Sequence, residues 1–101
     1  MISNNLFSLK GKTALVTGGS TGIGLMATAG LISAGAKVFI VSRKLENCQN
    51  AAQELNNQGF DGEVIPFRGD LSSEIGLNKI IDEVYSKNSE LQILINNAGR
   101  T

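Results

Sequence analysis

The residues that could do chemistry begin with three glycines spaced G-x-x-x-G-x-G: Gly18, Gly22 and Gly24, in the stretch TGGSTGIG at 17–24. They follow the apolar run TALVT and precede a helical pattern. In that context the spacing suits holding an anion rather than making or breaking a bond. Gly18 permits a tight turn off a strand, Gly22 lets a pyrophosphate approach the backbone, and Gly24 lets the next helix pack close. The helix N-terminus adds unpaired N–H groups and a partial positive charge. Ser20 and Thr21 are small hydrogen-bond donors within the loop. The bland reading is a merely flexible strand-to-helix turn. Three glycines within seven positions, with two small donors between them, weigh against it.

An ATP-type phosphate loop is excluded. GKT occurs at 11–13, but the glycine required five residues earlier is Leu6, and a strand rather than a helix follows.

Candidates for covalent or acid–base work are sparse. The chain has no histidine and one cysteine, Cys48, which removes intramolecular disulfides, most zinc sites and any Ser-His-Asp or Cys-His mechanism. Cys48 reads as a small packing residue. The single tyrosine, Tyr85, has Ser89 four residues on and Lys87 only two away, a spacing that sends side chains to opposite sides of a helix. Tyr85 reads as a shield on the outer edge of its helix. No catalytic residue and no metal ligand is assigned.

Composition narrows the class further. With 101 residues the chain makes one domain, and nine Lys and Arg balance nine Asp and Glu. Zero net charge argues against a nucleic-acid binder relying on phosphate attraction. No apolar run is long enough to span a membrane, and MISNNLFSLKGK lacks the basic start and apolar core of a signal peptide. A cytoplasmic location is expected.

The elements that must position the loop alternate in type, the pattern of a parallel α/β sheet. TALVT (13–17) is predicted as strand one, and a helix from Gly22 to Ala34 buries Ile23, Met26, Ala27, Leu31 and Ala34. KVFIVS (37–42) is strand two, and residues 45–58 form a helix with Leu45, Cys48, Ala52 and Leu55 along one stripe, stopped by Gly59. EVIPFRGD (63–70) is strand three, placed nearer an edge by Pro66. Ser72 or Ser73 caps a third helix carrying Leu77, Ile80, Ile81 and Val84, and LQILIN (91–96) is strand four. Read on residues alone, Asp70 is either a helix-leading acid or a site residue, and Asn96-Asn97 either a turn or part of the site.

TGGSTGIG at 17–24, Asp70-Leu71 after strand three and NNAG at 96–99 together resemble the short-chain dehydrogenase/reductase family. The resemblance covers nearly the whole chain, with each motif at the end of a predicted strand. GAKVFIVSR and IPFRGDLSSE are similar to the β-ketoacyl reductase branch, including rhamnolipid-type acyl reductases. It implies a Rossmann-type three-layer α/β fold, of which this chain is the N-terminal β-α-β-α-β-α-β portion. By position, it implies that Gly18, Ser20, Ile23 and Gly24 touch the pyrophosphate side of a dinucleotide. Asp70 would accept from the adenine amino group, with Leu71 packed beside it. Asn96, Asn97, Ala98 and Gly99 would line the adenosine-ribose side. A small carbonyl or alcohol substrate follows, with a homo-oligomer at full length.

The end of strand two distinguishes the cofactors. An NAD site places a carboxylate there for the ribose 2′-hydroxyl. Here Ser42 is followed by Arg43 and Lys44. A hydroxyl beside a guanidinium suits a 2′-phosphate. The alternative is an ordinary helix start with solvated charges, but cations are unfavourable at a helix N-terminus. NADP(H) is therefore expected over NAD(H).

The family's reaction uses an Asn, a Ser and a Tyr with a Lys four residues on. The Ser and the Tyr–Lys pair lie in the half that follows NNAG. The expectation is a cofactor-holding half whose catalytic half is absent, inactive by itself. A dinucleotide-binding or assembly module complete at 101 residues is the alternative.

Overall fold

Every residue of the first strand is buried, because that strand is central and covered on both faces. The computed structural model describes residues 8–18, 22–69, 73–87 and 91–96, with Lys87 and Asn96 described by backbone alone. The elements run β1 (Thr13–Thr17), α1 (Gly22–Ser33), β2 (Lys37–Ser42), α2 (Leu45–Asn56), β3 (Glu63–Arg68), α3 (Glu74–Lys87) and β4 (Ile93–Asn96). All strand pairs are parallel, in the order β3-β2-β1-β4. Strand alternation divides the core between two faces. Ala14, Val16, Val38, Ile40 and Val64 pack with Ile32 of α1 and with Cys48, Ala51, Ala52 and Leu55 of α2. Leu15, Phe39 and Val41 pack with Ile80 and Val84 of α3. Helices thus cover both sheet faces, giving the expected three layers.

Pro66 lies in β3, which pairs only with β2 among the described residues, so the expected edge position holds. Proline is tolerated there because an edge strand need not donate to a second neighbour. The third helix begins as expected after Ser73, whose Oγ accepts a hydrogen bond from the Gly76 N–H at 3.0 Å. Ser72 lies outside the described residues. Tyr85 is about half exposed on α3, at 49%.

Three expectations need correction. The stripe proposed for α1 holds only in part: Leu31 is partly buried against the core, but Ile23 and Met26 are 75% and 73% exposed, and the buried residues are Gly24, Thr28 and Ile32. GIGLMATAGLIS is apolar almost all round, so its periodicity has no phase to read. The buried positions are the small Gly24, Ile32 and Thr28, whose hydroxyl can be buried because it donates to the Gly24 carbonyl at 2.8 Å. The second helix stops at Asn56, with a turn over 57–59. The fourth strand starts at Ile93, because Gln92 pairs with the start of β1 through its side chain as well as its backbone: the Thr13 N–H donates to Gln92 Oε1 at 2.8 Å, and the Gln92 N–H to the Thr13 carbonyl at 3.1 Å. Among the described residues β4 pairs with β1 alone, and its Leu94 is 58% exposed.

Candidate functional site

The strand order itself locates a crevice. The chain steps outward from β1 to β2 to β3, then returns to the far side of β1 for β4. In open parallel sheets ligands bind beyond the carboxyl ends of the strands at such a reversal. The register brings those ends level: Thr17 lies opposite Val41 and Asn96, and Ser42 opposite Arg68. The Thr17 hydroxyl donates to the Ile95 carbonyl at 3.4 Å, bridging β1 to β4 at the reversal.

Gly18 continues from Thr17 with φ of 66°, the left-handed region that favours glycine. Its N–H is held by the Val41 carbonyl at 3.1 Å, so the turn is anchored to β2. Gly22, the first residue of α1, has φ of 55°, and among the described residues, its chain neighbours and own helix backbone aside, no atom lies within 4 Å of where its Cβ would stand. Packing does not demand glycine there. Backbone conformation does, and the open side leaves the peptide approachable. Gly24 is buried, and Ile23, exposed, is available at the open end of the helix rather than in the core. These residues fit a pyrophosphate: left-handed glycines at the turn, an accessible backbone and the N-terminus of a 12-residue helix aimed at one place.

At the end of β2 the Ser42 hydroxyl accepts a hydrogen bond from the Lys44 N–H at 3.1 Å and is hydrogen-bonded to the Cys48 thiol. These contacts orient it toward α2. Cys48 is fully buried, as expected of a packing residue. Burial pushes its thiol above the usual range, and the Ser42 contact opposes this by less. Arg43 and Lys44 are exposed, and Lys44 occupies the N-cap of α2 with no side-chain cap bond. The one ion pair among the described residues is Lys37–Glu63, at the opposite end of the sheet. Two cations at a helix N-terminus each cost about 0.3–1 kcal/mol at exposed sites. An anion bound there would offset that cost.

Of the proposed site residues, Gly18, Gly22, Ile23, Gly24, Ser42, Arg43 and Lys44 lie along this end of the sheet, and the backbone of Asn96 ends β4 beside Thr17. Ser20, Thr21, Asp70, Leu71, Asn97, Ala98 and Gly99 lie outside the described residues. Two residues at this end escaped the sequence reading. Gly69 donates its N–H to the Ser42 carbonyl at 3.0 Å, and a Cβ on it would overlap Ile80 of α3. Arg68 ends β3 directly across from Ser42. The signal for Arg68 was its even spacing from the apolar Val64, readable only once the strands are paired. Among the described residues no cluster of His, Cys, Asp or Glu could hold a metal ion, and no helix is long and apolar enough to cross a membrane.

Comparison with known proteins agrees with this geometry. The family model for short chain dehydrogenases matches residues 12–101. A rhamnolipids biosynthesis 3-oxoacyl-[acyl-carrier-protein] reductase from Pseudomonas aeruginosa is 48% identical over 93 residues, covering 92% of this chain and 35% of its own length. The Pseudomonas aeruginosa RhlG/NADP active-site complex superposes with a TM-score of 0.81 at 46% identity, over 94% of this chain and 37% of that one. L-sorbose reductase from Gluconobacter frateurii, complexed with NADPH and L-sorbose, gives 0.86 at 32% identity, over 93% and 35% of the two chains. The chain thus spans about a third of the length of such relatives.

Proposed function

The chain belongs to the short-chain dehydrogenase family, and on that premise we propose that it is the cofactor-holding half of an NADP(H)-dependent oxidoreductase acting between a carbonyl and its alcohol. One observation carries this reading. The Gly18 turn, the N-terminus of α1 and the Ser42-Arg43-Lys44 segment meet at the same end of the sheet, at the strand-order reversal. A nicotinamide dinucleotide supplies hydride transfer when bound. The chain's own part is binding and orientation. Gly18 and Gly22 keep the backbone open to the pyrophosphate, Gly24 lets α1 lie close enough to aim its N–H groups, and Arg43 with Lys44 sets the charge at the adenosine ribose. In this reading Asp70 and Leu71 receive the adenine, and Asn96 to Gly99 line the adenosine-ribose side, with Ser20 and Thr21 donating to phosphate.

Proton transfer falls to a Ser and a Tyr–Lys pair in a catalytic half outside residues 1–101. The 48%-identical relative, named as a 3-oxoacyl reductase, supports a 3-oxoacyl substrate class. The complexes with NADP and NADPH support the cofactor. We place the whole protein in the cytoplasm as a homo-oligomer. A non-catalytic dinucleotide-binding module is favoured only by the lack of a lysine four residues after Tyr85, where Ser89 stands.

The test is NADPH oxidation by the product of the native reading frame, assayed with 3-oxoacyl thioesters and simple ketones. Turnover with NADPH is the expected result. A folded, cofactor-binding product that reduces none of them would favour the module.

A further inference from the structure

The cationic end of β2 has a contributor from another strand. Ser42 lies opposite Arg68 in the β2–β3 ladder, and neighbouring strands are about 4.8 Å apart. Side chains alternate along β3: Ile65 and Phe67 pack on the α3 face, and Val64 on the α1/α2 face. Arg68 continues the Val64 row, so it emerges on the same face as Ser42, whose hydroxyl reaches Cys48 of α2. The Gly69 N–H bonded to the Ser42 carbonyl at 3.0 Å keeps the two strands paired to their ends. Arg68 is exposed, and the one ion pair among the described residues involves neither it nor Arg43.

At the opposite end of the same ladder, Lys37 faces Glu63 and pairs with it at 4.0 Å. At this end the register sets a cation beside a hydroxyl and two further cations. The acidic group in the first turn of α2 is Glu46, one helical step beyond Leu45. The Ser42 hydroxyl is already drawn toward α2 by Lys44 and Cys48. Charge recognition of an anion at this spot must therefore come from the cationic side chains, of which the two guanidiniums, Arg43 and Arg68, offer forked geometry.

We propose that Arg68 is a specificity-determining residue: from the end of β3, together with Arg43 in the turn that follows β2, it clamps the 2′-phosphate of the cofactor. This rests on the NADP(H) reading above and deepens it. Two guanidinium forks, one from the end of β3 and one from the turn after β2, can share the oxygens of one phosphate monoester, whereas a plain ribose 2′-hydroxyl offers them no charge. Arg68 then discriminates between cofactors without contributing to the affinity they share.

The experiment titrates the product of the native reading frame and its Arg68→Met, Arg68→Lys and Arg43→Ala variants with NADPH and NADH, with circular dichroism confirming the fold. Loss of one charge-assisted contact is expected to weaken NADPH about ten- to a hundred-fold in Arg68→Met. NADH affinity should hold, and Arg68→Lys, which restores the charge, should recover part of the loss. A wild-type NADPH preference that survives unchanged in Arg68→Met, but falls in Arg43→Ala, overturns the role of Arg68 while leaving the cofactor reading intact. Equal wild-type affinity for the two cofactors overturns both. Parallel losses of NADPH and NADH in a folded Arg68→Met also overturn the proposal, since they mark general damage to the crevice.

Discussion

Asn56, the last residue of α2, clasps the backbone of Val64 in β3 from outside the sheet. The Val64 N–H donates to Asn56 Oδ1 at 2.8 Å, and Asn56 Nδ2 donates to the Val64 carbonyl at 2.9 Å. Glu63 meanwhile bonds inward, its N–H to the Ala36 carbonyl at 3.2 Å. One amide thus occupies, at Val64, the donor and acceptor that an edge strand would otherwise offer to another chain. Replacing it tests the arrangement. Asn56→Ala should lower unfolding free energy by about 1–2 kcal/mol, two neutral hydrogen bonds partly replaced by water. A urea denaturation midpoint identical to wild type would contradict this.

Gly24 is buried in the first turn of α1, and its carbonyl accepts from Thr28. A valine there should push α1 away from β1 and displace the phosphate-facing amides. We expect Gly24→Val to abolish dinucleotide binding. Unchanged affinity in a variant that remains folded would sink the glycine-loop reading.

At the end of β2, Ser42→Asp combined with Arg43→Ala replaces a cationic surface by a carboxylate suited to a ribose hydroxyl. The NADPH-to-NADH preference should fall by about ten- to a hundred-fold, or 1.5–3 kcal/mol. The readout is the ratio of dissociation constants for the two cofactors. A ratio that stays put makes the basic segment a solvated helix start.

Cys48 gives a pH dependence whose sign follows from its burial. The folded thiol titrates above its unfolded value of 9.0, because burial disfavours the thiolate. The unfolded chain therefore loses its proton first as pH rises. The stability this group contributes is complete below about pH 9 and declines above it. Denaturant midpoints measured from pH 7 to 10.5 should fall more for wild type than for Cys48→Ala. Parallel curves would contradict the assignment.

Much of the scaffold was legible because its signals are local. Short β-branched runs separated by helical patterns give the element order, and Pro66 marks the edge strand by its missing donor. The Gly18, Gly22 and Gly24 spacing declares a strand-to-helix turn, which the positive φ at Gly18 and Gly22 realises. What stayed hidden depends on pairing or on an absent phase. The α1 face could not be read from a helix with little polar contrast, and Ile23 was given a core role as well as a site role. The Gln92–Thr13 bond joins residues 79 positions apart. Arg68 gains meaning only from the register that sets it beside Ser42.

The central claim is that this chain holds NADP(H) at the end of its sheet. Calorimetric titration of the purified 101-residue chain with NADPH and with NADH tests it most directly. The account predicts saturable binding at one site, tighter for NADPH by about ten-fold or more. It also predicts no NADPH oxidation when 3-oxoacyl thioesters or ketones are added. Absence of saturable binding by a folded chain, or equal affinity for the two cofactors, would contradict it.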